Sequence, residues 1–473
     1  MTKHLIVLCT LFAVFYFLAR GTAWHGPYTY DEADYMYAVS LGWGRNWVDS
    51  PSLPLLEFVK LGINLSKDGS RRGELSEMIR NSNDVVFYRH WHGPLYTDWL
   101  RTLRRFDFAE RSTRALNVVF PIAAAILMYF GALWVVPGVA GQIAAILGPA
   151  MYLWSFPVIR TSELAPHQLF AVCVIAALLP LAKVFGTSGS ARSYWYAAVI
   201  GTALAFCVLE VAFALILTLL TCGYIARDRL NPNLAFAARS IAVFLATVLI
   251  IWPAAVFRLS FIKAYFFMAY LAVFRPGAWG TNISFGETWR LRFVNSPLPW
   301  VLLAVGLVFF LNHRAKALVL IPSAVFSAFM FLAIIPTNTD VASYTLPLFP
   351  GVVLFAAFSA GLGAEQWRPP LRVAAVILIC AAMLATSWSR VRARMPEQNR
   401  RAEIILTLVR ENGIPPKNLL LPHEEIPMAH YYFPAYQFKT YYDESAIPAV
   451  VRSKSIDGVI YRGDPPRFVP VRF

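Results

Sequence analysis

Long stretches without a single charged residue constrain the fold of this chain more than any other feature. Several stretches contain no Asp, Glu, Lys or Arg, among them residues 5–19, 115–159, 164–182, 240–257, 317–339, 341–364 and 373–389. A further stretch, 193–226, contains only Glu210. Because a membrane-spanning helix needs about 20 mainly apolar residues, these stretches predict a polytopic helical membrane protein.

The composition agrees with that prediction. Of the 473 residues, 58% are hydrophobic and only 15% are charged, whereas soluble domains carry about 25% charged residues. Disordered, collagen-like and ordinary cytosolic proteins are therefore excluded. The basic residues behind the net charge of +15 lie between the apolar stretches. Basic residues in such places are typical of cytoplasmic loops and do not indicate nucleic-acid binding.

The longer stretches divide at Pro137-Gly138, at Glu210 and at Pro336-Thr337, which gives about eleven spans. We place the spans at 5–20, 116–136, 141–158, 164–182, 194–209, 211–226, 240–257, 298–312, 317–335, 345–362 and 371–389. The two spans beside Glu210 are short, so one long helix is the alternative there.

Basic residues in the short loops predict the orientation. They alternate onto one side of the membrane, which the positive-inside rule makes cytoplasmic. They are Lys3; Lys183 and Arg192; Arg227, Arg229 and Arg239; Arg314 and Lys316; and Arg368 and Arg372. Segments 21–115, 258–297 and 390–473 then face out. A cleaved signal peptide over 1–23 is a competing interpretation, but its aromatic-rich apolar run favours a retained span.

Acidic residues concentrate in two of the outer segments. Twelve of the 27 lie in 20–115 and nine lie in 390–473. We therefore expect a mainly α fold in which residues 1–389 form the membrane module, with a large first outer loop over 21–115. Residues 390–473, which contain the apolar run Leu-Leu-Leu-Pro at 419–422, are expected to form a small outer α/β domain.

The first candidate motif is Tyr-Thr-Tyr-Asp-Glu-Ala-Asp-Tyr at 28–35. In a helix, Asp31, Asp34 and Tyr35 share one face. Acids at a helix N-terminus interact favourably with its dipole, which explains the motif without a function. The functional alternative is a carboxylate at the membrane boundary that serves as a general base.

The second motif is Arg-His-Trp-His-Gly-Pro-Leu-Tyr at 89–96. His90 and His92 could ligate a metal, but Trp91 between them and the Gly-Pro that follows favour a shaped loop. Downstream, Glu110 and Arg114 have the i, i+4 spacing of a helical ion pair.

Two further motifs lie beside later spans. Glu163 lies in the turn 158–167, on the same predicted side as Asp31, so these two acid-bearing segments could meet over one cavity. Tyr344 precedes Pro347 and Pro350 at the start of a span, where a lone Tyr would normally anchor the helix at the interface.

The order and spacing of these motifs resemble those of the GT-C membrane glycosyltransferases. The closest branch contains the protein O-mannosyltransferases and the bacterial aminoarabinose transferase that acts on lipid A. The matching motifs are Tyr-Asp-Glu-Ala at 30–33, His-Gly-Pro-Leu-Tyr at 92–96, Glu110 with Arg114, Arg160 with Glu163, and Tyr344 with Pro347 and Pro350. Glu210 departs from the basic or polar residue that is often found at its position in the family.

The resemblance implies roles for individual residues. Asp31 would be the catalytic base and Glu163 a second acid that orients the acceptor. His92, in place of a lysine, would contact the phosphate of a lipid donor together with Tyr344 and Arg275. The remaining residues expected to bind substrate are Glu32, Asp34, Tyr35 and His90. Because free histidine titrates near pH 6.5, His92 would make phosphate binding pH-sensitive.

The implied reaction is an inverting transfer of a sugar from a polyprenyl phosphate to a hydroxyl of a glycan, lipid or protein, at the periplasmic face of a bacterial inner membrane. The resemblance implies no particular cofactor and leaves metal dependence open, since Asp31, Asp34, Glu163 and His92 could hold a divalent ion if they converge. The main alternative is a transporter or flippase with broken helices around Glu210. An oligosaccharide ligase or polymerase and a membrane scaffold displaying the C-terminal domain are further alternatives.

Overall fold

The computed structural model describes most of the helical core and the C-terminal region. The described residues are 2–19, 27–28, 30–40, 56, 60, 63–64, 92–106, 108, 110–159, 164–186, 191–257, 265, 284, 286–290, 297–312, 316–334, 345–392, 398–412, 418–422, 425–441, 444–453 and 455–471. At Tyr30 and Asp31 only the backbone is described.

The described helices lie between Thr2 and Ser453, with gaps at the segments outside the described residues. They are α1 (Thr2–Ala19), α2 (Tyr30–Ser40), α3 (Pro94–Arg104), α4 (Glu110–Leu116), α5 (Val119–Val135), α6 (Gly138–Leu153), α7 (Phe156–Ile159), α8 (His167–Gly186), α9 (Arg192–Phe206), α10 (Phe213–Ile225), α11 (Arg227–Leu230), α12 (Leu234–Ile251), α13 (Pro253–Phe257), α14 (Pro297–Asn312), α15 (Ile321–Ile334), α16 (Phe349–Ala364), α17 (Pro369–Arg392), α18 (Gln398–Asn412), α19 (Ile426–Tyr432) and α20 (Ile447–Ser453). Short 3₁₀ turns cover Glu210–Ala212, Lys316–Leu320 and Glu444–Ala446.

Each span predicted from the sequence overlaps a described helix, but 141–158 runs across α6 and α7, and 240–257 runs across α12 and α13. Five helical stretches are long and apolar enough to cross a membrane, namely Thr2–Ala19, Glu110–Val135, His167–Gly186, Leu234–Ile251 and Pro369–Val391. Shorter apolar helices cover Gly138–Leu153, Glu210–Ile225, Leu318–Ile334 and Phe349–Ala364. The chain is therefore an integral membrane protein, while the total of about eleven spans stays a prediction.

Burial distinguishes central helices from peripheral ones. Helix α16 is apolar on all sides and almost entirely buried, as expected of a helix in the middle of a bundle. It packs so closely on α6 that a Cβ added at Gly361 would lie 2.3 Å from the carbonyl oxygen of Ala140. In α12 and α17 only 11% of the apolar window is buried inside the protein, which suits helices that face lipid.

The first helix is packed into the bundle. Leu11, Phe15 and Leu18 are buried, and the indole of Trp154 donates a hydrogen bond to the carbonyl of Leu11 at 3.3 Å. These contacts join α1 to α6 and to the residues that follow it, while the retention of residues 1–23 stays a prediction.

Helices α9 and α10 form an antiparallel hairpin. Trp195 near the start of α9 contacts Gly223 near the end of α10, where an added Cβ would lie 2.6 Å from the Trp195 ring. Arg192 donates to the carbonyl of Leu230 at 3.0 Å, which closes the same end. The alternative of one long helix is therefore excluded, and Glu210 lies in the turn between two helices.

Basic side chains at one end of the bundle bind exposed helix carbonyls. Lys183 donates to the carbonyl of Trp134 at 2.7 Å, Arg229 donates to that of Phe185, and Arg372 donates to that of Glu365 at 2.6 Å. The last turn of a helix leaves such carbonyls without an intrahelical partner. These basic residues belong to the predicted cytoplasmic set, and the side of the membrane that they face stays a prediction.

The C-terminal region contains a small mixed sheet. Its strands are β1 (Asn418–Pro422), β2 (Gln437–Tyr441), β3 (Gly458–Tyr461) and β4 (Arg467–Pro470), in the order β2-β1-β3-β4. Strand β1 is parallel to both β2 and β3, and β4 is antiparallel to β3. Helix α19 connects β1 to β2, so the α/β character expected for this region is confirmed.

This C-terminal region packs directly on α2, the helix of the first outer loop. One hydrophobic cluster contains Ala33 and Met36 of α2 together with Ile405, Leu419 and Met428 of the C-terminal region. The contact brings residues that lie almost 400 positions apart into one core.

Tyr432 at the end of α19 adds a polar bond to this contact. Its hydroxyl accepts the Tyr28 backbone N–H at 2.7 Å and donates to Glu110 at 3.0 Å. One phenol therefore links the C-terminal region to two segments of the membrane module.

We expect Tyr432→Phe to lower the melting temperature of the purified protein by a few degrees. The substitution leaves the Tyr28 N–H without its acceptor, and an unsatisfied buried group costs about 1–3 kcal/mol. Tyr436→Phe is the matched control, because its ring stacks on Phe433 and its hydroxyl takes no part in this bridge. Equal melting temperatures for the two variants would contradict a stabilising role of the bridge.

Candidate functional site

A buried ion pair joins α2 to α4. Arg114 Nε donates to Glu32 Oε1 at 2.9 Å, and Arg114 Nη2 donates to Glu32 Oε2 at 2.5 Å. Glu32 is 4% exposed and Arg114 is 3% exposed. A buried arginine and carboxylate in a paired geometry of this kind form strong charge-assisted hydrogen bonds.

The same carboxylate also binds a third segment of the chain. Oε1 of Glu32 accepts the backbone N–H of Leu164 at 2.8 Å. Glu32 therefore joins helix α2, helix α4 and the segment that leads into α8. Both of its oxygens accept hydrogen bonds from protein groups, and the predicted contact of Glu32 with substrate stays a prediction.

This arrangement brings the two acid-bearing segments of the sequence together. Asp31 directly precedes Glu32 in α2, and Glu163 directly precedes Leu164. The hydrogen bond between Glu32 and Leu164 therefore joins the immediate chain neighbours of both acids. The side chain of Asp31 and all of Glu163 lie outside the described residues.

The sequence predicts an ion pair between Glu110 and Arg114 within α4, but Arg114 pairs with Glu32 of α2. Glu110 and Arg114 have helical i, i+4 spacing, but Arg114 binds Glu32, and Glu110 accepts the hydroxyl of Tyr432. The physical reason is burial, since a nearly inaccessible guanidinium gains most from a carboxylate that it meets through two nitrogens. Tyr28 completes this group, because its ring lies 4.9 Å from the Arg114 guanidinium carbon.

A second polar pair joins the first outer loop to the α9–α10 turn. His92 Nδ1 lies 2.8 Å from Glu210 Oε2. The side chains are 13% and 17% exposed respectively, so the pair borders solvent without being fully open to it. Glu210 thus lies beside the segment His-Gly-Pro-Leu-Tyr, whereas the sequence had left its role open.

Backbone hydrogen bonds join the segment His-Gly-Pro-Leu-Tyr to the α9–α10 turn. The N–H groups of Gly93 and Leu95 donate to the carbonyls of Val208 and Cys207 at 3.2 and 3.1 Å, which are groups that a helix end leaves unpaired. The approach requires glycine, because a Cβ at Gly93 would lie 2.2 Å from the Cys207 carbonyl oxygen.

Aromatic residues lie around His92 and the Glu32 pair. The Tyr35 ring lies 6.1 Å from the His92 ring and 5.5 Å from the Tyr96 ring. Tyr96 donates to Asn117 at 3.2 Å. Burial raises the pKa of the Tyr96 phenol well above its ordinary value, and the negative charge of Glu32 raises it further, so Tyr96 stays a neutral donor at neutral pH.

The structure describes only part of the predicted site. It brings Glu32, Tyr35 and His92 into one region, and Asp34, which is 9% exposed, lies in the same helix. His90, Glu163, Arg275 and Tyr344 lie outside the described residues, as does the Asp31 side chain. Their predicted roles stay predictions.

No group of three or more His, Cys, Asp or Glu side chains that could hold a metal occurs among the described residues. The divalent ion suggested for Asp31, Asp34, Glu163 and His92 depends on side chains outside that set, so it also stays a prediction.

Two contributors to the site were not found from the sequence. Tyr432 is one of many tyrosines, and nothing in its local pattern indicates a contact with Glu110. The Leu164 contact is made by a backbone N–H, which no side-chain motif can reveal. For the pair of His92 and Glu210 a signal existed, because an acid that interrupts an apolar stretch requires a polar partner or water.

The fold is similar to those of two solved membrane enzymes. The oligosaccharyltransferase of Archaeoglobus fulgidus, solved with a tethered acceptor peptide, matches with a TM-score of 0.57 and 11% identity over 97% of this chain and 69% of that chain. ArnT from Cupriavidus metallidurans, solved with undecaprenyl phosphate, matches with a TM-score of 0.56 and 12% identity over 96% of this chain and 89% of that chain.

A further structure of the archaeal enzyme, named AglB, contains an inhibitory peptide and a dolichol-phosphate; it matches at 11% identity with a TM-score of 0.57, over 97% of this chain and 69% of that chain. No protein-family model and no curated protein matches the chain. Both solved enzymes are GT-C glycosyltransferases. The chain therefore has the GT-C fold, as the order of its motifs predicted.

Proposed function

We propose that this protein transfers a sugar from a polyprenyl phosphate to an acceptor hydroxyl at the outer face of the membrane. The single observation that carries the proposal is the bond from Glu32 to both Arg114 and Leu164, since it ties together the segments that bear Asp31 and Glu163. The GT-C fold supports the same reaction class.

The donor is proposed from chemistry and from the fold. A polyprenyl tail stays in the bilayer, so its phosphate and sugar must be met at the membrane boundary, where α2, α4 and the α9–α10 turn converge. Undecaprenyl phosphate is present in the ArnT structure and dolichol-phosphate in an AglB structure. These ligands belong to those proteins, and they support a lipid phosphate as the donor class here.

The proposed reaction is a single displacement. Asp31 removes the proton of the acceptor hydroxyl while its oxygen attacks the anomeric carbon, and the bond from that carbon to the phosphate oxygen breaks. The electron pair leaves with the phosphate, which is already anionic and needs no proton. Inversion at the anomeric carbon follows from one displacement.

The other residues bind and orient the reactants. We assign Glu163 to orient the acceptor, and His92, Arg275 and Tyr344 to bind the departing phosphate, because fixed cationic and hydroxyl donors stabilise developing negative charge. Asp34, Tyr35 and His90 complete the proposed substrate site. Glu32 is assigned to hold the segments in place.

We further propose that residues 1–389 form the membrane module, with the catalytic loop over 21–115, and that residues 390–473 form an outer domain. The site would face the periplasm of a bacterial inner membrane. A glycan, a lipid or a protein hydroxyl each suits the proposed displacement. The transporter alternative is less supported, because Glu210 lies beside His92 in the turn of an antiparallel hairpin and not at a break within a single membrane-spanning helix.

Asp31→Asn should lower the rate of sugar transfer about 10²–10⁴-fold, the usual contribution of a general base, while binding of the donor is retained. The measurement is release of labelled sugar from a panel of polyprenyl-phosphate donors, with a membrane extract as the source of acceptors. Asp228→Asn is the control, since its carboxylate is 95% exposed at the opposite end. Near-normal turnover of the Asp31→Asn protein would refute the role of Asp31.

Glu32→Gln should destabilise the protein by about 3–5 kcal/mol, because it leaves the buried Arg114 guanidinium without its counter-charge. Arg114→Lys should also destabilise it, since an ammonium group cannot reproduce the paired hydrogen bonds. Thermal unfolding of the purified proteins measures both effects.

The matched control for this pair is Glu287→Gln. Glu287 binds Arg290 at 2.9 Å, but the side chains are 48% and 69% exposed, and an exposed pair contributes about 0–1 kcal/mol. If Glu32→Gln melts at the same temperature as Glu287→Gln, the Glu32 pair does not hold the outer face together.

A further inference from the structure

The pair of His92 and Glu210 is a feature that the proposed reaction does not by itself explain. Glu210 begins the 3₁₀ turn between α9 and α10, and His92 lies just before α3. Their contact, Nδ1 to Oε2 at 2.8 Å, joins residues 118 positions apart. It adds a negative charge beside a residue that is assigned to bind an anion.

The geometry fixes which nitrogen of His92 is available. With Nδ1 engaged by Glu210, Nε2 is the ring atom that can reach a ligand. The described titratable groups around this ring are Glu210, Tyr35 of α2 at 6.1 Å and His167 of α8 at 6.4 Å between ring centroids. Among the described residues, Glu210 is the group in hydrogen-bonding contact with the imidazole.

The backbone around His92 is anchored to the same turn. Gly93 and Leu95 donate to the carbonyls of Val208 and Cys207, two and three residues before Glu210. Both the main chain and the ring of this segment are therefore fixed by one short stretch of the hairpin. This anchoring fixes the position and the orientation of the imidazole. The hydrogen bond at Nδ1 also sets which nitrogen carries the proton in the neutral ring.

We propose that Glu210 is a positioning residue that holds the His92 ring by Nδ1–H, so that Nε2–H of the imidazolium binds a phosphate oxygen of the lipid donor. This inference rests on the proposed function, in which His92 binds that phosphate. Glu210 itself does not touch the substrate. It acts through the orientation of the His92 ring.

A positioning role and a purely electrostatic role of Glu210 predict opposite effects of Glu210→Gln on phosphate binding. A carboxylate near an anionic phosphate repels it, so Glu210→Gln would tighten phosphate binding if Glu210 acted only through its charge. A positioning role predicts weaker binding, because the amide accepts a weaker, neutral hydrogen bond. The sign of the change therefore separates the two explanations.

The pH dependence follows from the two states of the ring. Protonated histidine donates from both nitrogens, whereas the neutral ring with Nδ1–H on Glu210 has only an acceptor at Nε2. Phosphate binding therefore requires the charged ring, which donates from Nε2, and is lost when the ring is neutral. In His92→Gln this dependence disappears, and only the titration of the phosphate monoester, with a second pKa of about 6, remains.

The experiment is binding of undecaprenyl phosphate to the full-length protein in nanodiscs at about pH 5.5 and pH 8. At the lower pH we expect Glu210→Gln to weaken binding about tenfold, a loss of the order that one charge-assisted hydrogen bond supplies. His92→Gln/Glu210→Gln should bind like His92→Gln, since Glu210 acts only through His92. Asp228→Asn should bind like the wild-type protein.

Nitrogen chemical shifts of labelled histidine provide a readout that does not depend on substrate. In the wild-type protein at high pH the neutral His92 ring should carry its proton on Nδ1, and Glu210→Gln should shift the population towards Nε2–H. An Nε2–H ring in the wild-type protein, tighter binding by Glu210→Gln, or an effect of Glu210→Gln that persists without His92 would each overturn the inference.

The two proposals fail in different ways. If the wild-type protein binds no polyprenyl phosphate at either pH, the proposed function fails, and the phosphate part of this inference fails with it. If binding is intact but insensitive to Glu210 and to the His92 tautomer, only the positioning role is overturned.

Discussion

The contact between α2, α4 and the segment before α8 depends on one buried ion pair. Glu32 and Arg114 are almost inaccessible to solvent, and breaking such a pair leaves an uncompensated charge in a medium that cannot hydrate it. The pair also accepts the Leu164 N–H. Three segments that are distant in the sequence are thereby held at one place, and two of them carry the acids assigned to catalysis.

The α9–α10 turn forms the neighbouring part of the same face. Its unpaired helix carbonyls accept the N–H groups of Gly93 and Leu95, and its first acid, Glu210, binds His92. The C-terminal region packs on α2, and the Tyr432 hydroxyl links it to Tyr28 and Glu110. A membrane bundle, an outer loop and a small α/β region thus meet where the acceptor and the lipid phosphate are proposed to react.

The helices could be predicted because lipid burial demands long charge-free stretches, and these are visible in a single sequence. The partner of Arg114 could not be predicted. Local spacing favours Glu110, but the guanidinium is buried where Glu32, 82 residues away, meets it through two nitrogens. The contact of Tyr432 with Tyr28 spans 404 residues and follows no periodic pattern. The order of the motifs predicted which residues lie close together, whereas burial determines which of them form ion pairs.

Cross-linking of the two acid positions tests the central claim most directly. In full-length protein with Cys9 and Cys380 replaced by serine, Asp31→Cys/Glu163→Cys should be joined within one chain by a short thiol cross-linker, and Asp31→Cys/Asp228→Cys should not. Both introduced thiols should react with a membrane-impermeant reagent from the same side. Failure to cross-link, or labelling of the two positions from opposite sides, would contradict a shared outer site.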